Sequence, residues 1–296
     1  MAAFLALILI LTSCKKSPVD SPEPSGYRVT AERFYTDGVS RGELLFKYTG
    51  NKISNWEYNG GEGMNFTYPD NFTIVYNQYG NGADNYTGKF KLSGDKVTEI
   101  IMDNEEKAAY SYNAEGKVTS IKYYDYTNNS WVMYGEDTFT YTSGKLVQIY
   151  CSIPGDRDDK YVFSYNGEEI NSIIYSYRES GGLWVDYSKN EYNYLNGKVS
   201  KINIYYKSNG IWDESNGYEE FFYDSDGNLT EKNNSHFDQT KYIYEEGKGN
   251  FRQLFEFFED GDVEIDWTWQ YLIPMPTKSG SSITNLKRAG RYNIFR

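Results

Sequence analysis

The chain has 296 residues, of which 31 are Tyr, 16 Phe and 6 Trp, and its formal net charge is −12. A protein that binds nucleic acid through phosphate needs a basic surface, so this acidic balance argues against a nucleic-acid partner and chiefly favours solubility. Aromatic side chains suit a pleated, half-buried surface, and Tyr can pack its ring while its hydroxyl reaches water. The composition therefore indicates β structure, in one large domain or two smaller ones.

The first segment, residues 1–14, is typical of a bacterial lipoprotein signal peptide. Its apolar run at 2–11 is ten residues long, which suits a signal peptide but is too short for a helix that crosses the bilayer core of about 30 Å. The sequence LTSC at 11–14 resembles the lipobox of bacterial lipoproteins. This resemblance implies that Cys14 is lipidated and becomes the mature N-terminus. The alternative is an ordinary signal peptide or an uncleaved anchor, because no basic residue precedes the apolar run.

Residues 15–26 contain three prolines and no apolar periodicity, which predicts an extended tether. Lys15, rather than an aspartate, follows the cysteine, and by resemblance to Gram-negative sorting this favours the outer membrane. The domain could face either the periplasm or the outside. We therefore expect a cell-envelope protein that contacts the membrane through its lipid anchor. With Cys14 lipidated, Cys151 has no cysteine partner for an intrachain disulfide and is expected to be a buried, inert thiol.

From about residue 44 onward the chain repeats one unit. The unit is aromatic-x-aromatic, a short turn that contains Gly, and an aliphatic residue followed by a second about three positions later. Repeats with this kind of period indicate an array of supersecondary units. Copies begin at Phe46, Phe66, Phe90, Tyr110, Phe139, Phe163, Tyr192, Phe221 and Tyr242.

Each unit is predicted to be a β-hairpin. Apolar and polar residues alternate with period 2, as in 263–271, and Asn-Gly pairs such as Asn196-Gly197 favour tight turns. We predict that residues 27–296 form a single all-β domain, a long antiparallel meander of about sixteen to eighteen strands. It is expected to close, or nearly close, into a water-soluble barrel with aromatic residues inside. An outer-membrane porin is the rival fold, but the charged opposite face and the even spread of Tyr disfavour it.

The turn sequence YDSDGNLT at 223–230 resembles the tyrosine–aspartate repeats of Rhs-type shell proteins. The combination of lipobox, Pro-rich tether and Tyr-rich hairpins is more similar to an uncharacterised lipoprotein domain of gut-type Gram-negative bacteria that has a porin-like fold. The resemblance covers most of residues 27–296. It implies a fold and a compartment, and no known activity.

Catalytic and metal-binding patterns are weak in this sequence. His236 is the single histidine and lies in a loop-like run, so neither a zinc site nor a His-based triad is supported. The acidic runs at 224–228 and 260–262 are rich in oxygen ligands for calcium, but Asp, Asn and Gly are also ordinary turn residues. We expect no metal, no cofactor and no enzymatic activity, with a carboxylate-based hydrolase kept as an alternative.

A series of tryptophans is the one candidate binding site. Trp131, Trp184 and Trp212 each follow a turn signal and precede the second aromatic residue of the next unit by ten or eleven positions. Repeated units would place the three in a row, either as an aromatic ladder that caps the core or as a stacking platform for sugar rings. The sequence thus predicts a membrane-anchored, non-catalytic envelope lipoprotein that binds glycan or another extracellular ligand. A structural or interaction component of an envelope assembly is the main alternative.

Overall fold

The computed structural model describes residues 27–246 except 60, 81–86, 95, 156, 214–216, 226 and 237, and the backbone of 258–259 and 262–263. The predicted signal peptide with Cys14, the tether at 15–26 and most of the chain after 246 lie outside the described residues. Among the described residues, no helix is long and apolar enough to cross a membrane.

The regular structure within these ranges is β-strand. The strands are β1 (Tyr27–Thr36), β2 (Val39–Thr49), β3 (Lys52–Tyr58), β4 (Glu62–Thr67), β5 (Thr73–Tyr79), β6 (Thr87–Ser93), β7 (Lys96–Met102), β8 (Glu106–Tyr112), β9 (Val118–Thr127), β10 (Ser130–Thr142), β11 (Lys145–Ser152), β12 (Asp158–Asn166), β13 (Glu169–Arg178), β14 (Val185–Leu195), β15 (Lys198–Ser208), β16 (Ile211–Trp212), β17 (Gly217–Tyr223), β18 (Leu229–Asn234), β19 (Asp238–Glu246), β20 (Phe258–Glu259) and β21 (Asp262–Val263).

The strands form one antiparallel meander that closes on itself. Strands β1–β15 and β17–β19 each pair with their neighbours in sequence, and β19 pairs with β1 from Tyr27 opposite Glu246 to Thr36 opposite Asp238. The result is a barrel of eighteen strands, with β16 paired only to the end of β15. Closure pairs the first and last strands of the described meander with each other, which removes the open edges that a flat sheet would have. The predicted all-β meander and its closure are confirmed.

Alternation along the strands gives the wall an apolar inner face and a charged outer face. Outward residues form cross-strand ion pairs, such as Lys47 with Glu57 at 3.2 Å and Lys201 with Glu220 at 3.0 Å. A barrel that crosses a lipid bilayer carries an outward apolar band instead. The outer wall of this barrel is therefore a surface suited to water. The aromatic residues of the repeat that were predicted to lie inside the barrel are on its inner face.

The inward side chains pack into three buried clusters along the wall. Each large apolar side chain that is fully buried contributes about 1.5–3 kcal/mol to folding. One cluster comes from β1–β7 and includes Phe46, Trp56, Met64, Tyr76 and Phe90. The second comes from β11–β18 and includes Ile149, Cys151, Tyr161, Ile173, Ile202 and Leu229. The third joins Ala108, Ile121 and Tyr123.

A β-bulge explains why the two aliphatic residues of each unit lie three positions apart. In the β2–β3 hairpin, Lys47 pairs with Asn55 and Tyr48 with Ile53, so Ser54 is an extra residue. Because of this insertion, Ile53 and Trp56 both point inward although their spacing is odd. The same shift occurs in the hairpins β6–β7, β8–β9, β10–β11, β12–β13, β14–β15 and β17–β18.

Seven tyrosines at the second aromatic position of the repeat each fasten their hairpin to a neighbouring strand at the bulge. Their hydroxyls donate to a backbone carbonyl at 2.6–3.0 Å, whereas the Tyr194 hydroxyl accepts a hydrogen bond from the Ile170 N–H at 3.1 Å. The pairs are Tyr48–Val29, Tyr68–Ile53, Tyr112–Val97, Tyr141–Val118, Tyr165–Leu146, Tyr223–Val199 and Tyr244–Leu229. The Lys that precedes the aliphatic residue often covers the same ring, as Lys145 covers Tyr165 at 5.4 Å.

These hydrogen bonds define two different ends of the barrel. We call the end with the bulged hairpins the tyrosine end; β1 begins and β19 ends there, at Tyr27 and Glu246. We call the opposite end, which carries Trp131, Trp184 and Trp212, the tryptophan end. The chain therefore enters and leaves the described barrel at the end away from the three tryptophans.

Candidate functional site

The three predicted tryptophans lie at one end and on one face of the barrel. Each contacts a Lys whose neighbour in sequence is buried in the interior, which places the indole on the outer face. Lys107 beside buried Ala108 contacts Trp131, Lys160 beside buried Asp159 contacts Trp184, and Lys189 beside buried Asn190 contacts Trp212.

The tryptophans follow one another at regular intervals around the wall. Trp131 lies with residues of β8–β10, Trp184 with residues of β11–β13, and Trp212 with residues of β14–β16. Three strands at the usual spacing correspond to about 14 Å. The structure thus brings the predicted residues into a row on a curved outer surface.

Cationic side chains lie over each indole ring. Lys107 is 4.9 Å from the centre of the Trp131 ring. Trp184 lies between Lys160 at 4.2 Å and Arg178 at 4.9 Å. Such contacts each contribute about 0.5–1 kcal/mol at exposed sites. The indoles are half-buried, so they are neither fully covered core caps nor fully open platforms.

The last two tryptophans belong to a polar network on the outer face. Asp186 accepts hydrogen bonds from Lys207 at 2.8 Å and from Ser176, which is 1% exposed, at 2.9 Å. The hydrogen bond from Lys207 holds the pKa of the Asp186 carboxyl below its ordinary value, although partial burial opposes the shift. Arg178 likewise donates to Asp158 at 2.8 Å. The network fixes the cations that flank Trp184 and Trp212.

A cluster of tyrosines, which we call the mouth cluster, lines the inner face of the same end. It consists of Tyr161, Tyr175, Tyr177, Tyr187 and Tyr206. Tyr161 is buried and stacks on Tyr175, with ring centres 4.9 Å apart. Tyr187 meets three rings edge to face: Tyr175 at 5.9 Å, Tyr177 at 6.2 Å and Tyr206 at 5.5 Å. Edge-to-face contacts of this kind are favourable geometries for aromatic pairs.

A second type of bulge directs Tyr187 into this cluster. Tyr175 pairs with Ser188 and Ser176 with Asp186, so Tyr187 is the extra residue of β14. Bulges re-aim side chains and are frequent next to functional sites. Tyr187 remains 44% exposed, so the mouth cluster opens to solvent at this residue.

An ion pair between part-exposed Arg157 and buried Asp159 adds polar groups to the mouth cluster. Asp159 accepts a hydrogen bond from the Tyr175 hydroxyl at 2.8 Å and forms an ion pair with Arg157 at 3.1 Å. The Arg157 guanidinium also lies 5.0 Å from the centre of the Tyr177 ring. The arrangement combines aromatic rings with hydrogen-bonding groups, which is the chemistry that holds a small polar ligand against a flat surface.

The mouth cluster was not identified from the sequence. The available signal was Tyr175-Ser176-Tyr177, where aromatic alternation continues past the residues that each repeat needs for its core. The position of Tyr187 could not be inferred, because one inserted residue reverses the inward and outward assignment of everything beyond it.

The other predicted sites have ordinary local roles. His236 is exposed in the turn between β18 and β19, where its backbone N–H donates to Asn234 at 2.9 Å. Both carboxylate oxygens of Asp224 accept hydrogen bonds from Asn228, at 2.8 Å each, which holds the turn between β17 and β18. Asp226 and residues 260–261 lie outside the described residues. Within the described part of the chain, no group of three or more His, Cys, Asp or Glu is placed to hold a metal.

Comparison with known proteins gives no family. No protein-family model matches the chain, and no curated protein matches its sequence. Among solved structures, it is similar to a porin-like protein from Bacteroides uniformis, with TM-score 0.43 and 9% identity over 73% of this chain and 98% of that one. It is also similar to a chain of the Photorhabdus luminescens Tc holotoxin pore, with TM-score 0.34 and 10% identity over 68% of this chain and 13% of that one. These values are too low to assign a function, which must be argued from the chain's own residues.

Proposed function

We propose that this protein is a lipid-anchored, non-catalytic binding protein of the cell envelope whose ligand is a glycan that meets the tryptophan end of the barrel. The observation that carries the proposal is the placement of Trp131, Trp184 and Trp212 at one end and on one face, each half-buried. Sugar rings present flat C–H faces, and an indole is the largest flat side chain that can pack against them.

The end at which the described barrel begins supports a ligand at the tryptophan end. A chain lipidated at Cys14 reaches the barrel through residues 15–26, which span at most about 40 Å when fully extended. The first described residue, Tyr27, lies at the tyrosine end. In this proposal the anchor joins the barrel opposite the tryptophans, which face away from the membrane; that membrane is the outer one if Lys15 acts as the sorting resemblance implies.

The spacing of the tryptophans favours a chain-like ligand over a single sugar. Successive indoles are separated by three strands, or about 14 Å, which is the length of a few sugar units. The Lys or Arg side chains beside each indole can donate hydrogen bonds to sugar hydroxyls. A polymer that follows the outer wall would meet the three sites in turn.

Affinity electrophoresis of the full chain in gels that contain a panel of soluble polysaccharides tests this proposal. We expect retardation of the wild-type protein by at least one polysaccharide. Single Trp→Ala substitutions at 131, 184 and 212 should each reduce the apparent affinity about fivefold or more, as the loss of one stacking contact implies. Phe222→Ala is the matched control, because Phe222 is 45% exposed but lies near the tyrosine end. A wild-type protein that no polysaccharide retards would overturn the proposal.

A role as an interaction component of an envelope assembly is the second candidate, and one observation favours it. Exposed apolar side chains gather at the tryptophan end: Leu183 is 89% exposed, Ile211 72% and Val132 51%. Contiguous exposed apolar surface marks interaction sites in soluble proteins. Chemical cross-linking in whole envelopes, with Leu183→Glu as the variant, tests it; a cross-linked protein partner that disappears in the variant would favour this role over glycan binding.

A further inference from the structure

The inner face of the tryptophan end carries groups that the Trp row does not use. Tyr177 and Tyr187 are both part-exposed, and their rings meet edge to face at 6.2 Å. Neither hydroxyl forms a hydrogen bond within the part of the chain that the structure describes, whereas the Tyr175 hydroxyl is engaged with Asp159. Two phenol groups that open to solvent at the barrel mouth are therefore available to a ligand.

The cluster behind these two residues is a rigid support. Tyr175 is held by stacking on buried Tyr161 and by its hydrogen bond to buried Asp159. Tyr206 holds Tyr187 from the other side, at 5.5 Å. Aromatic side chains that are locked by neighbours lose little further conformational freedom when a ligand packs on them.

The charges of the mouth select against an anionic ligand. Arg157, the cation whose guanidinium lies 5.0 Å from the centre of the Tyr177 ring, is already paired with the Asp159 carboxylate at 3.1 Å. The chain as a whole carries a net charge of −12, so it does not attract anions over long range. A flat ligand with many hydroxyls and no charge fits both the rings and this electrostatic setting.

We propose that the mouth cluster is a second carbohydrate subsite, in which Tyr177 and Tyr187 hold an uncharged sugar unit while the Arg157–Asp159 pair supplies polar contacts. This proposal rests on the proposed function and deepens it, because it places part of the glycan inside the barrel mouth instead of on the outer wall. The subsite binds the terminal sugar of a neutral glycan, while the outer row of tryptophans binds the sugars that follow it.

Saturation-transfer NMR with neutral tetrasaccharides built from glucose, mannose, xylose or galactose tests the subsite. A tetrasaccharide is about as long as the gap between two outer tryptophans, so it does not gain from the whole row. We expect Tyr187→Ala to weaken binding at least tenfold. Tyr187→Phe keeps the ring and removes the hydroxyl, and should weaken binding about threefold to tenfold. Phe222→Ala should change binding less than twofold.

The outcomes separate this proposal from the proposed function. If tetrasaccharides bind the wild type, and Tyr187→Ala and Tyr187→Phe bind as the wild type does, the mouth subsite is refuted and the outer row stands. If polysaccharides retard the wild type but no tetrasaccharide binds, the subsite is also refuted. If neither polysaccharides nor tetrasaccharides bind, both proposals fall. Should Tyr187→Ala unfold, the Tyr187→Phe variant decides, because it preserves the packing.

Discussion

Replacing Tyr165 with Phe tests the hydrogen bonds that fasten the repeats at the tyrosine end. The Tyr165 hydroxyl donates to the Leu146 carbonyl at 2.8 Å, next to the bulge in β11 where Thr140 pairs with Gln148 and Tyr141 with Leu146. The bulge interrupts the regular ladder, so the hydroxyl satisfies a carbonyl that the neighbouring strand leaves available. The substitution removes the donor and keeps the ring.

The expected loss follows from this geometry. A neutral hydrogen bond contributes about 1 kcal/mol net, and the loss reaches about 1–3 kcal/mol when a buried acceptor is left without a partner. Tyr165→Phe should therefore lower the free energy of unfolding by about 1–2 kcal/mol. For a chain of this size, 1 kcal/mol corresponds to about 2–4 °C in Tm. Urea unfolding, with the midpoint shifted and the slope unchanged, measures the difference.

Tyr126→Phe is the matched control for this prediction. Tyr126 is 44% exposed, and its hydroxyl forms no hydrogen bond within the described residues. The control should change the free energy of unfolding by less than about 0.5 kcal/mol. If Tyr165→Phe is as stable as Tyr126→Phe, the hydrogen bonds at the bulges do not stabilise the fold.

The same tyrosines predict the response of the fold to alkali. Burial raises the pKa of Tyr165 and of Tyr141 from the ordinary value of 10.0 to about 12. A group whose pKa is higher in the folded state contributes stability that is complete below pH 10 and is lost as the pH rises toward 12. Circular dichroism across this window should show unfolding at alkaline pH, with a smaller loss of stability in Tyr165→Phe because one of the titrating groups is gone.

Three further outcomes are expected. Cys14→Ser should move the protein from the membrane fraction to the soluble one, and retention after a carbonate wash would contradict lipidation at Cys14. His236→Ala should leave the free energy of unfolding within about 0.5 kcal/mol of the wild type, as for other exposed positions, and a larger loss would show a structural role. EDTA should leave Tm unchanged, because Asp224 already accepts two hydrogen bonds from Asn228; a fall of several degrees would indicate a structural cation.

The architecture was predictable because the same strand–turn–strand pattern recurs in every copy of the repeat. Pairs such as Asn196-Gly197, in which both residues have positive φ, set the tight turns. The alternation of inward and outward residues then fixes which face is buried. The spacing of Ile53 and Trp56 was visible in the sequence. Its cause, a β-bulge, was not visible, because these bulges have no characteristic residue type. The partner of each Tyr hydroxyl was also hidden, since it lies in the neighbouring unit.

The candidate sites lie where the chain departs from its repeat, and this is why the sequence revealed them only in part. Trp131, Trp184 and Trp212 stand out because each lies between the core positions of successive repeats, so their row could be inferred from phase alone. The face on which Trp131 and Trp184 lie could not be inferred, since bulges near Tyr134 and Tyr187 reset the inward and outward alternation close to them. The mouth cluster depends on one of these bulges. The side chains at the regular positions of the repeat are used for strand pairing and core packing. A residue inserted at a bulge is not needed for either and can instead contact a ligand. Tyr187 is such a residue, and it is the most exposed member of the mouth cluster.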